Sequence, residues 1–230
     1  MDSIRNELAK LADPALAKNA FKFFKTGKGQ YAEGDVFIGV SVPKTRKIAR
    51  KFCSLPLFKI ENLLKSRIHE ERLAALIILI KRYSIADHKK KQRIYKFYIK
   101  NVKYVNSWDL VDLSAANIVG AHVFNKQRDI LYKLARSPNI WKRRISIIST
   151  YYFIKNGQFE DTLKLSKLLL KDECDLIQKA VGWMLREVGK RDQKTEERFL
   201  LKNYKRMPRT TLRYAIERFD RRKRASFLAM

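Results

Sequence analysis

Residues 69–85 read HEERLAALIILIKRYSI, a charged start followed by a dense apolar stretch and a basic end. Leu73, Leu76, Ile77 and Ile80 fall at the three- and four-residue intervals of one helical face, and no alternating strand pattern competes with them. The apolar run from Leu73 to Ile80 is far shorter than the roughly 20 residues that span a bilayer, so the helix belongs in a protein core. The same periodicity recurs in KQRIYKFYIKNV (91–102), NIWKRRISIISTYYFIK (139–155), EDTLKLSKLLLKD (160–172) and DLIQKAVGWMLREVGKR (175–191). Breaks come at Asp13-Pro14, at TGKGQYAEGD (26–35), at Ser137-Pro138-Asn139, at Asn156-Gly157 and at Met207-Pro208. The chain therefore reads as all-α, with its one long loop near the N-terminus.

The helices recur in register. EERLAAL, SWDLVDL, WKRRISI, IQKAVGW and PRTTLRY start at residues 70, 107, 141, 177 and 208, a step of about 35 residues. That step is typical of stacked antiparallel helix pairs, so the expected fold is a helical solenoid built as one domain over residues 1–230, with a bundle as the other arrangement of the same helices. In a solenoid the aligned helices share the concave side, and their side chains converge on one ligand.

Charge says what that ligand is. The 230 residues carry 51 Lys and Arg against 23 Asp and Glu, a net charge of +28, and the 46% hydrophobic content argues for a folded chain. Nucleic acid is the first partner such a surface suggests. Asp2 and Glu7 fall within an amphipathic pattern that lacks the apolar core of a secretory signal, so the chain is expected to stay inside the cell, in the cytoplasm. Cys53 and Cys174 fit a reducing compartment as unpaired thiols, and they are too few for a structural zinc site.

On the aligned helices, Trp108 and Asp112 sit one turn apart, followed by Trp141, Arg143 and Arg144, then Lys179, Trp183 and Arg186, then Arg209 and Arg213. Cations neutralise phosphates, and indole faces pack on sugars or bases. A carboxylate does not fit that list: at about 4 Å and an effective dielectric near 20, like charges repel by roughly 4 kcal/mol. Asp112 is thus either paired with a neighbouring cation or meant for something positive, whereas Asp109 reads as an ordinary solvated charge. A base alkylated on a ring nitrogen is positive, and when its glycosidic bond breaks the charge passes to the deoxyribose. An anion placed there stabilises the transition state more than the ground state. Such a leaving group needs no general acid, which suits a chain whose histidines, His69, His88 and His122, form no evident catalytic pair.

NSWDLVDLSA (106–115), EGDVFIGVSVPKTRKIA (33–49), SPNIWKRRISIIST (137–150) and KAVGWMLREVGK (179–190) together resemble the bacterial AlkD-type DNA alkylation repair glycosylases. The resemblance covers nearly the whole chain in the same order. It implies a superhelix of HEAT-like antiparallel helix pairs with a basic concave groove. It also implies cofactor-independent and metal-independent release of positively charged N3- and N7-alkylated purines, 3-methyladenine and 7-methylguanine, from double-stranded DNA, in the bacterial cytoplasm and nucleoid-associated when bound. A monomer is expected because a closed-off groove would hinder duplex binding. Carried over by position, the catalytic carboxylate is Asp112, the aromatic residues holding the lesion's sugar and backbone are Trp108 and Trp183, and the active-site arginine is Arg144 or, one residue earlier, Arg143. Arg186, Lys179 and Arg213 are expected phosphate contacts. Lys44, Arg46 and Lys47 supply more, on the helix that Pro43 starts after the glycine loop. The alternative is a noncatalytic helical-repeat scaffold that binds nucleic acid or an acidic protein.

Overall fold

The computed structural model describes residues 3–229, which are helical apart from turns, loops and one isolated bridge, Val36 to Ile68. Packing divides the chain into two compact units, Met1–Ser114 and Ala115–Met230. The all-α expectation holds, and both cysteines are free thiols. No helix among the described residues is long and apolar enough to cross a membrane.

The first unit runs through α1 (Ile4–Ala9), α2 (Pro14–Phe23), α3 (Val42–Lys51), α4 (Leu57–Leu64), α5 (His69–Ile85), α6 (His88–Lys100) and all but the last residue of α7 (Trp108–Ala115). The punctuation works as its chemistry dictates: the Asp13 carboxylate caps α2 by accepting from the N–H groups of Ala15 and Leu16, and Pro14 takes the first helical position. Helix α5 is the centre of this unit, with α1, α3, α4 and α6 packed on it. Leu73, Ala74, Ala75, Leu76, Ile78 and Leu79 are all buried, so the helix is apolar around most of its circumference rather than on one stripe.

The long loop between α2 and α3 is fastened to the start of α5. The Glu70 carboxylate accepts from the backbone N–H groups of Ile38, Gly39 and Val40 at 3.2, 2.9 and 3.3 Å. Gly39 is required there twice over. Its φ is +79°, and a Cβ would stand 2.0 Å from the carbonyl oxygen of Asp13.

The second unit opens with a π-helical turn, Ala116–Gly120, and continues as α8 (Ala121–Val123), α9 (Asp129–Ala135), α10 (Ile140–Lys155), α11 (Glu160–Leu169), α12 (Asp175–Gly189), α13 (Gln193–Asn203), α14 (Arg209–Ala215) and α15 (Arg221–Ala229). Asn139 caps α10 through the N–H groups of Trp141 and Lys142, as the Ser-Pro-Asn break suggested. Helix α10 packs on α9, α11 and α12, and α12 packs on α11, α13 and α14. The helices bearing WKRRISI, IQKAVGW and PRTTLRY therefore lie side by side.

Helices α12 and α14 approach closely at Gly182, where a Cβ would lie 2.5 Å from both the Thr211 carbonyl oxygen and the Tyr214 Cβ. Alanine is the better helix former by up to about 1 kcal/mol, yet overpacking a helix crossing costs about 1–3 kcal/mol. Gly182→Ala is accordingly expected to lower stability in urea unfolding. A gain would mean that the two helices do not meet at this distance.

Candidate functional site

In the first unit, Trp108 opens α7 and is held on three sides. Its ring stacks on Phe24 with centroids 5.5 Å apart and planes at 16°, meets Phe23 edge-on at 5.7 Å, and its Nε1–H donates to the Tyr31 hydroxyl at 3.2 Å. These partners come from the end of α2 and the glycine loop, which together seat the indole. Trp108 stays half-buried, and so does Asp112, one turn on along the same face.

Beneath this aromatic layer lies a charge network that the sequence reading missed. Asp109 is not a solvated charge: its Oδ2 sits 2.8 Å from His69 Nε2, with the Asp109 side chain 18% exposed and that of His69 only 3%. His69 Nδ1 reaches Asp35 Oδ2 at 3.3 Å, and Arg72 donates to the same Asp35 oxygen at 2.5 Å. Phe37 stacks on the imidazole at 4.7 Å, and Phe24 lies 4.9 Å from it. Burial by itself would push the imidazole toward the neutral form. The hydrogen bonds to Asp109 and Asp35 outweigh it and raise the His69 pKa to about 8. Burial likewise opposes ionisation of Asp109, and the hydrogen bond and charge of His69 overcome it, leaving the carboxyl below its ordinary value. The first turn of α7, which carries Trp108 and leads to Asp112, is thus tied to α5 by a buried ion pair. Asp35, His69 and Asp109 are 34 and 40 residues apart in the pairs they form, separations that helical periodicity cannot register.

The second unit places Arg144 and Arg143 very differently. Arg143 is committed to structure: Nε and an Nη hydrogen-bond the two oxygens of Asp172 at 2.6 and 3.3 Å, and the other Nη donates to the carbonyls of Ser137 and Pro138. Arg144 is buried on α10 and donates to the Leu176 carbonyl at the start of the neighbouring α12 segment. Trp141 is core, 7% exposed. Trp183 is half-buried, 5.9 Å from the Tyr151 ring, and its Nε1–H donates to Glu187 at 3.3 Å. Glu187 is in turn neutralised by Lys190 and Arg191.

The remaining cations fall into two groups. Arg186 pairs with Glu217, and Lys179 pairs with Asp175 at 2.9 Å. Lys44, Arg46 and Lys47 are exposed on the first turns of α3, and Arg213 is exposed on α14.

A family model described as "DNA alkylation repair enzyme" matches residues 4–219. No curated protein matches the chain. Among solved structures, one described as a "Predicted DNA alkylation repair enzyme from Enterococcus faecalis" superposes with a TM-score of 0.73 at 17% identity, covering 91% of this chain and 97% of that one. At that identity the likeness speaks for the fold.

The His69 pair sets a pH dependence. A raised folded pKa means that the folded chain holds the proton more tightly than the unfolded one, so the stabilisation is complete below pH 6.5 and lost as pH rises through about 8. The shift corresponds to about 2 kcal/mol. Urea unfolding at about pH 6 and pH 9 is expected to show that loss in the native chain and a flatter response in His69→Gln. An identical slope in the two proteins would remove the pair from the account. Arg143→Ala, which strands the 8%-exposed Asp172 carboxylate, is expected to cost about 2–4 kcal/mol of stability. Thermal melting decides that point, and an unchanged melt would show that the arginine is not structural.

Proposed function

Since the chain belongs to the DNA alkylation repair enzyme family, we propose that it is a monofunctional DNA glycosylase for positively charged N3- and N7-alkylated purines, 3-methyladenine and 7-methylguanine. It acts on duplex DNA as a monomer and leaves an abasic site. The observation that carries this reading is a carboxylate, Asp112, half-buried one turn from a fixed, half-buried indole in a chain of charge +28.

The alkylated base enters carrying its own positive charge. As the bond from C1′ to the base nitrogen breaks, its electron pair neutralises the base, and the positive charge moves to the sugar at C1′ and O4′. Water then adds at C1′ and loses a proton. Asp112 stabilises the cationic sugar, an interaction that strengthens as the bond lengthens. Trp108 offers its ring to the deoxyribose, and a ring face beside a cation contributes about 0.5–2 kcal/mol. By their match to the family's motifs, Trp183 and Arg144 are assigned to support of the lesion's backbone. Arg144 is carried over as the active-site arginine by its position in WKRR; like Arg143 it is engaged within the protein, buried on α10 and donating to the Leu176 carbonyl, so its role requires that bond to be exchanged.

The exposed cations Lys44, Arg46, Lys47 and Arg213 bind phosphates, with Arg143, Arg186 and Lys179 as further contacts once their intramolecular partners are exchanged. The helix pairs are read as HEAT-like repeats, and the whole of residues 1–230 as one functional domain with a basic groove. Each phosphate-binding Lys or Arg steepens the loss of affinity with salt, by close to one unit of the logarithmic slope.

Single-turnover base release from duplex DNA containing 7-methylguanine tests the proposal. Asp112→Asn is expected to lower the rate by about 10²–10³ while retaining DNA binding, the usual cost of one preorganised electrostatic group. Equal rates would remove Asp112 from the chemistry. Absence of release by the native chain from both 7-methylguanine and 3-methyladenine DNA would favour a binding scaffold.

A further inference from the structure

A second basic feature is lined by none of the residues in the proposed chemistry. Helices α11 and α13 and the 3-10 turn Tyr204–Arg206 enclose a cleft of about 870 Å³ in the second unit. Lys164, Lys167, Arg198, Lys202, Lys205 and Arg206 line it, and no Asp or Glu does. Lys164 is partly neutralised by Glu160 at 2.7 Å on its own helix, and Arg198 feels the charge of Asp192, the cap of α13. The walls also contain Leu163, Phe199 and Leu201, and Leu201 is 52% exposed. Six cations around an uncovered leucine are two recognition chemistries in one place.

We propose that this cleft is a docking site for an acidic peptide segment of another protein, one that carries an apolar side chain among its carboxylates. The choice rests on charge complementarity combined with the apolar wall. A nucleic-acid strand would answer the cations with its phosphates, but its bases call for open aromatic faces, and here Phe199 is buried and the Tyr204 ring lies under Lys205, which leaves aliphatic leucine as the exposed apolar surface. An acidic segment with one apolar anchor answers both, and the volume lies within the range of sites that enclose small ligands or a few residues of chain. Because α11 and α13 carry none of Trp108, Asp112, Arg144 and Trp183, an occupant here engages other helices than those the chemistry needs.

Fluorescence anisotropy with the full chain and a short labelled peptide of Asp and Glu ending in Leu-Phe provides the test, with an Asp/Glu peptide lacking Leu-Phe and a single-stranded DNA as comparisons. The Leu-Phe peptide is expected to bind. Reversing two rim charges, Lys167→Glu with Lys202→Glu, is expected to weaken it by at least about tenfold, and Leu201→Ser by about three- to tenfold. Thermal melts confirm that these surface variants remain folded, and the readout does not depend on base release, so failure here leaves the glycosylase reading standing. Three results would overturn the proposal: equal binding of the two peptides, indifference to the Leu201 change, or tighter binding of single-stranded DNA that is lost with the same charge reversals.

Discussion

Four ionisable side chains occupy one buried turn at the start of α5, and the first unit is organised around satisfying them. His69, Glu70, Glu71 and Arg72 are each less than 5% exposed. A buried charge without a partner costs several kcal/mol, so each of the four must be answered from elsewhere. Glu70 takes three amides of the loop that leads to α3, and Glu71 takes Arg5 of α1 at 3.0 Å. Arg72 takes Asp35 and the carbonyls of Ser66 and Arg67, and His69 takes Asp35 and Asp109. One helical turn thereby fixes the N-terminal helix, the long loop and the first turn of α7. The indole and carboxylate of the proposed chemistry stand on the last of these.

The sequence displays the helices but not this turn's purpose. HEERLAALIILIKRYSI announces its helix through the apolar residues, and the same periodicity locates α6 and α10 to α12. Asp13, Pro43, Asn139 and Gly157 mark boundaries for reasons local to the backbone: caps, a fixed φ and a left-handed turn at φ +74°. Local signals of this kind are legible because cause and effect lie within a few residues. Asp109 shows the limit. In the sequence it is one acid among 23 at the start of a helix, and its surroundings are set by His69 and Asp35, far away in the chain.

The adjacent arginines make the same point in the other direction. Arg143 and Arg144 are equivalent in composition and pattern, and successive helical positions differ by about 100° in direction. That rotation points Arg143 at Asp172 and two carbonyls, and Arg144 into the helix packing beside Leu176. Trp108 and Trp183 remain half-buried while Trp141 is core, a division that depends on which face each helix turns to its neighbours. Site chemistry was visible as a set of residue types at helical spacing, and the packing separates the buried Trp141 and the Asp172-bound Arg143 from the half-buried Trp108, Asp112 and Trp183.

The central claim is that a fixed carboxylate acts on the charge that a cationic base delivers to its sugar. Its most direct test compares single-turnover release of 7-methylguanine with release of hypoxanthine, an uncharged purine lesion, from otherwise identical duplexes. The account predicts release of the cationic base and little or none of the neutral one, because the proposed chemistry places an anion at the sugar and relies on the base's own charge for its departure. Comparable release of both bases would contradict it, since a neutral base departs at a similar rate only when the protein protonates it.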